Sequence, residues 1–272
     1  MPASYAHFRL GREIFPRLEG SVRAAAEAFP QLYDIGLHGP DVLFYHKPLK
    51  ATRLNRMASP LHDKSGRAFF RRAAAVLRES DDRRASLAYA AGCLCHFALD
   101  AVCHGYVEEV HRSGRVSHAA IEADLDRELL VRDGKAPFRH RMAAHIHATR
   151  ENARRIAPFY PRVSPEEMRE ALQGMKRYSG LLHPRYRLQR AATRKVLAAA
   201  APGFSQLILP EAPNPACRET TRTLLSLYPE AVQGSLRIIR EFEQALPDKP
   251  LQDALFRFTF NGQRIEREDE LL

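Results

Sequence analysis

His96, Asp100 and His104 follow one another at steps of four along the chain. A step of four turns an α-helix by about 40°, so the three side chains line one stripe of a single helix. His118, Glu122 and Asp126 repeat that spacing a short distance downstream. Imidazole nitrogens and carboxylate oxygens are donors that zinc accepts, and two such stripes on facing helices can close around metal. The neighbours of His96 and Asp100 are Leu94, Phe97, Ala98, Leu99, Ala101 and Val102. An ionised Asp in that apolar setting is costly unless it is paired or bound to metal. The plainer alternative is a buried His–Asp hydrogen-bonded network that only fixes helix packing.

Presenting these stripes requires helices, and apolar residues recur at helical spacing nearly throughout the chain. Helices are predicted over residues 64–78, 81–110 and 117–131, the second capped by Ser80, Asp81 and Asp82. The short connection between the last two favours antiparallel neighbours, which brings the two stripes face to face. Upstream, residues 10–29 read as a helix in which Pro16 marks a kink or a late start. Residues 31–61 contain Gly36, Gly39, Pro40, Pro48 and Pro60 and read as a long loop. Downstream, helices are predicted over 142–156, 186–200 and 218–245, with another opening at the capping box Ser164-Pro165-Glu166-Glu167. Phe256, Phe258 and Phe260 alternate with other residues before Asn261-Gly262, which reads as a short hairpin. Residues 202–215 are the nearest thing to a linker, and the Glu-rich end reads as frayed. The fold class expected is all-α: one multi-helix domain over 1–272, with 1–132 as the metal-site core and 133–272 as additional packing helices.

Composition bounds the function classes. At 272 residues, 45% hydrophobic and 27% charged, the chain is no disordered, collagen-like or disulfide-scaffold sequence. It lacks a run of about 18 apolar residues, so no transmembrane helix is expected. Its first residues lack the apolar stretch of a secretory signal, and the expected location is cytoplasmic. Cys93, Cys95, Cys103 and Cys217 are expected as reduced, buried thiols; Cys93 and Cys95 are two apart and diverge on a helix, so they make no metal clamp. Of 42 basic residues seven are Lys, and the net charge is +10. That surplus of Arg suits phosphate or anionic-surface partners, although the Arg residues are scattered as on an ordinary solvated surface.

The motifs together resemble the zinc-dependent phospholipase C family, an all-α fold holding clustered zinc ions. The resemblance rests on His96-Phe-Ala-Leu-Asp100, then His104, then His118-Ala-Ala-Ile-Glu122, with Gly39-Pro40-Asp41 and His62 upstream. The start, Met-Pro-x-x-Tyr-x-His7, resembles short, leaderless bacterial members. The step from Asp100 to His104 is four, where the secreted pattern has six with an intervening Pro. Val42 follows Asp41 where choline-recognising members have an aromatic residue.

The resemblance implies two to three zinc ions. Asp41, His62, His96 and Asp100 are implied as ligands of one, and His104, His118 and Glu122 of a second. Asp100 is implied as a bridge to a third, shared with His7 and the N-terminus of the chain. The implied activity is hydrolysis of a phosphodiester by metal-activated water, with Asp41 as general base. The implied substrate is a phospholipid, met in transient contact with a membrane surface. Two other readings stay open: a zinc nuclease acting on single-stranded nucleic acid, for which few aromatics surround the motif, and a metal-bearing binding protein without turnover. Of the other histidines, His38 and His46 lie in the predicted loop, where contact with substrate is the less favoured reading. His140, His145 and His147 sit near a helix start, and His111 and His183 read as surface residues.

Overall fold

The apolar stretch predicted over 81–110 becomes the centre of the molecule. In the computed structural model, described over residues 4–48, 50–200, 205–246 and 249–267, it forms the helix Arg83–Arg112. The Asp82 side chain starts this helix by accepting the Ala85 N–H. By length and composition the helix is apolar enough to cross a membrane, yet nine-tenths of that stretch is buried inside the protein. It is the core helix against which most of the others pack.

The helices in chain order are α1 (Ser4–Ile14), α2 (Gly20–Ala28), α3 (Pro30–Gly36), α4 (Arg53–His62), α5 (Gly66–Glu79) and α6 (Arg83–Arg112). Then come α7 (His118–Arg132), α8 (Arg150–Ile156), α9 (Pro165–Leu182), α10 (Arg187–Ala200) and α11 (Arg218–Ala245). The fold is all-α. Among the described residues the only extended pairings are two isolated bridges, Ser65 with Thr259 and Phe258 with Arg264. The predicted hairpin forms in its shortest version, Phe258 pairing antiparallel with Arg264 across the turn at Asn261-Gly262, while Phe256 lies in a 3-10 turn, Ala254–Arg257. One hydrophobic cluster runs from Tyr5 to Phe260.

At Pro16 the first predicted helix is not merely kinked but divided, by a 3-10 turn Phe15–Arg17 that separates α1 from α2. The long loop predicted over 31–61 is not what forms. α3, a 3-10 turn Gly39–Tyr45 and α4 occupy most of it. Pro40 misled because it opens the 3-10 turn, at a position whose missing N–H is not needed, just as Pro30, before the predicted loop, opens α3. Pro60 lies inside α4 near its end, where Thr52 has already capped the start by accepting the Asn55 N–H.

The helix predicted over 142–156 forms only as α8, because Thr149 caps it from Asn152 onward. α9 opens on the predicted capping box at Ser164. Residues 1–3, 201–204 and 268–272 lie outside the described residues, and with them the start of the chain, part of the predicted linker and the Glu-rich end. All four cysteines are free and buried, as the composition implies.

Close backbone approach fixes the elements around the motif. Gly36 of α3 and Gly92 of α6 meet directly: a Cβ on Gly36 would lie 2.3 Å from the Tyr89 carbonyl oxygen, and one on Gly92 2.2 Å from that of Tyr33. No other residue lets α3 sit this close to α6. The chain leaving α3 therefore runs directly over the stripe that begins at His96.

Candidate metal centre

Five elements deliver the eight residues singled out by sequence. α1 carries His7, the 3-10 turn Gly39–Tyr45 carries Asp41, and the last residue of α4 is His62. α6 carries His96, Asp100 and His104, and α7 carries His118 and Glu122. α7 starts at His118 because the Ser117 hydroxyl accepts the Ala120 N–H. Gly39 has φ +45°, and a Cβ there would come within 2.5 Å of the His96 ring. Glycine is thus required twice over where the turn presents Asp41 to His96.

The eight side chains converge as three connected groups of possible metal donors: His7, His96 and Asp100; Asp41, His62 and His96; and His104, His118 and Glu122. The carboxylate of Asp100 sits at the junction. Its oxygens lie 3.3 Å from His7 Nε2, 3.0 Å from His96 Nε2 and 3.5 Å from His104 Nε2. Asp41 lies 2.8 Å from His62 Nε2 and 3.5 Å from His96 Nε2. Glu122 lies 3.5 Å from His104 Nε2 and 3.1 Å from His118 Nε2. His118, about a quarter exposed, is where the cluster reaches the surface; the others are nearly or fully buried.

Two observations show that these residues fit zinc. First, four imidazoles are anchored by Nδ1, which leaves Nε2 facing the carboxylates. His62 Nδ1 donates to the Ala58 carbonyl, His96 Nδ1 to that of Leu37, His104 Nδ1 to that of Phe260, and His118 Nδ1 to the Glu108 carboxylate. Metal-ligating histidines are oriented in this way by an outer partner. Second, His96 Nε2, Asp41 Oδ2, Asp100 Oδ2 and Glu122 Oε2 are buried without a hydrogen bond, although they crowd together. A packing network would satisfy such atoms, since leaving them bare costs several kcal/mol. Donor atoms that crowd one space, His96 Nε2 and Asp100 Oδ2 only 3.0 Å apart, without forming hydrogen bonds suit a bound cation.

The charges reinforce one another. Burial resists ionisation of Asp100, but His104, His96 and His7 hold its carboxyl well below the usual range. Burial likewise opposes ionisation of Asp41, and His96 and His62 overcome it. Burial alone would lower the His104 pKa, but Asp100 and Glu122 push it up to about 10. The metal-free protein therefore keeps a proton on His104 at pH 8, and zinc must displace it. Titration of zinc into chelator-stripped protein at pH 8, by calorimetry in two buffers of different ionisation heat, is expected to show release of at least one proton. Heats that do not depend on the buffer would contradict this.

Supporting residues were less visible from sequence. Glu108 continues the α6 stripe four residues past His104, so its partnership with His118 had a signal. Asp126, seen as part of the α7 stripe, accepts the backbone N–H groups of Tyr5 and Ala6 at 3.0 and 2.8 Å. It thereby pins the start of α1 and places His7. The Phe260 carbonyl and ring, the latter against His62 and His96, come from the far end of the chain.

The other predicted histidines fall away from the cluster's donors. His38 is fully buried, its Nε2 2.6 Å from that of His145, and so is not open to substrate. His46 is tied to Thr52 and Glu170. His183 is largely enclosed, with Nδ1 donating to the Ser179 carbonyl, rather than a surface residue.

Among known protein families, the one described as zinc dependent phospholipase C matches residues 6–174. The match covers every residue of the cluster and runs past the last motif at Glu122 to the middle of α9. No curated protein and no solved structure matches the chain.

Proposed function

Because the chain belongs to the zinc-dependent phospholipase C family, we propose that it is a zinc-dependent phosphodiester hydrolase whose substrate is a phospholipid. The observation that carries this reading is the junction at Asp100, whose carboxylate touches a histidine of each of the three donor groups, amid buried donor atoms of His96, Asp41, Asp100 and Glu122 that lack hydrogen bonds. Asp41, His62, His96 and Asp100 would hold one ion, His104, His118 and Glu122 a second, and His7 with Asp100 would contribute to a third. Bound zinc supplies positive charge against the phosphoryl oxygens and acidifies water near neutral pH.

The rest of the work falls to the chain's own residues. One oxygen of Asp41 lies 2.8 Å from His62 Nε2, and the other, Oδ2, is buried without a hydrogen bond beside His96. Held ionised by His96 and His62, Asp41 is placed to accept the proton of the water that attacks phosphorus. The new P–O bond forms as the bond to the leaving oxygen breaks, and the proton taken by Asp41 Oδ2 is passed on to that oxygen. Glu108 and the Phe260 carbonyl keep the imidazoles of His118 and His104 in register. The partly exposed His118 marks the side from which a phosphodiester reaches the cluster.

The test is hydrolysis of a panel of phospholipids and soluble phosphodiesters by protein as purified, after chelation, and after zinc is restored. Phospholipid cleavage lost on chelation and regained with zinc is expected. Cleavage of single-stranded nucleic acid alone would overturn the lipid assignment. No turnover on any phosphodiester by zinc-loaded protein would leave a metal-bearing binding protein.

A further inference from the structure

α10 is a helix of 14 residues that buries none of its described side chains. Leu188, Ala192 and Val196 follow at steps of four and are all exposed, so an apolar stripe faces outward. Arg190, Thr193 and Leu197, half-buried, form the inward side. Leu188 is 86% exposed. Leu181, Tyr186, Leu188 and Val196 account for four of the five large exposed apolar side chains among the described residues. Their concentration on one short segment sets them apart from the scattered apolar residues of an ordinary surface.

The charge of the same segment is one-signed. From residue 171 to 210 the sequence contains no Asp or Glu, while Lys176, Arg177, Arg185, Arg187, Arg194 and Lys195 lie within it, together with Arg190. Arg187 and Arg190 reach Glu211, at 3.6 and 3.3 Å. Arg185, Arg194 and Lys195 have no acidic partner among the described residues. Between α9, α10 and residues 138–144 opens a cavity of about 950 Å³, whose rim carries Arg139, Arg141, Lys176 and Arg185. Its walls include Ser179 and His183, which also line a small cavity against Glu122 of the metal centre.

We propose that α10 and the basic rim of this cavity form a docking face for an anionic lipid bilayer. An exposed apolar stripe flanked by Lys and Arg is the pattern of helices that lie in the bilayer interface. The apolar side chains enter the headgroup region, and the basic flanks meet lipid phosphates. A second copy of the chain is the poorer occupant, because it would set one basic face against another. The shared walls at Ser179 and His183 put the docked lipid beside the cluster. This deepens the phospholipase reading, but its test reads binding without turnover.

The experiment is sedimentation of the full chain with vesicles of phosphatidylcholine alone and with added phosphatidylglycerol. Binding is expected only to the anionic vesicles, and should weaken as salt rises. The double variant Arg194→Gln/Lys195→Gln should bind about 25-fold more weakly, at roughly fivefold for each charge. Leu188→Ser/Val196→Ser should also lose binding. Both variants should keep the far-ultraviolet circular dichroism, the zinc content and any hydrolysis of a soluble short-chain phosphodiester. Equal binding to both vesicle types, no binding, or wild-type binding by both variants would overturn the docking face. So would a dimer, seen by analytical ultracentrifugation, that Leu188→Ser/Val196→Ser dissolves. An active enzyme that ignores vesicles removes only the docking face, whereas an inactive protein that binds them removes only the hydrolase.

Discussion

Asp100→Asn is expected to strip zinc from the centre and to lower turnover by more than the roughly 10- to 100-fold that loss of a supporting partner costs a metal site. The reason is position: this carboxylate alone touches His7, His96 and His104. Asn keeps the volume but removes the charge, and its amide must turn a donor toward at least one of three imidazoles. The fold should suffer as well. In chelator-treated protein, removing the charged partner of buried groups costs about 3–5 kcal/mol.

The wild-type pH dependence carries the same signature. Asp100 has a lowered carboxyl pKa, so its contribution is present above the unfolded value of about 3.9 and is lost as pH falls below it. His104 is raised to about 10, so its contribution is complete below about pH 6.5 and is lost as pH rises toward 10. Metal-free wild type should thus be weakened at both ends, and Asp100→Asn should be weakened throughout. Urea unfolding of both chelated proteins across pH checks this. An Asp100→Asn protein with full zinc and full turnover would contradict it.

Asp41→Asn separates chemistry from construction. The Asn carbonyl oxygen can take the place of the Asp41 oxygen that lies 2.8 Å from His62 Nε2, and the volume is unchanged. Zinc content and unfolding should therefore stay near wild type, since His62, His96 and Asp100 remain. Turnover should fall by about 10²- to 10⁴-fold, the usual share of a general base, because an amide oxygen cannot take the proton of the attacking water. The measurement is kcat on a phospholipid substrate beside zinc content for the same preparation. Wild-type kcat with full zinc would exclude Asp41 as the base.

Much of this centre was readable because its donors lie on helices. His96, Asp100 and His104, and His118 with Glu122, keep the four-residue step in space that they have in sequence. His7, Asp41 and His62 carried no such period and entered through the family resemblance. Their elements were harder to read. Pro40 looks like a breaker but opens the turn that brings Asp41 over α6, and the contact of Gly36 with Gly92 explains why that segment is held there. The carbonyls of Ala58, Leu37 and Phe260 that orient three imidazoles belong to the backbone, which every residue shares, so no sequence pattern announces them. His38 was misjudged for a related reason. Its burial against His145 depends on a contact across more than a hundred residues of chain.

The most direct test of the central claim is the zinc content of the chain, by elemental analysis of protein purified without chelator and resupplied with zinc. About two to three zinc per chain is the expected result, in keeping with three donor groups, two of which share His96 while Asp100 touches His104 of the third. A protein that retains no zinc after resupply would contradict the account and leave the stripes of α6 and α7 as a buried packing network.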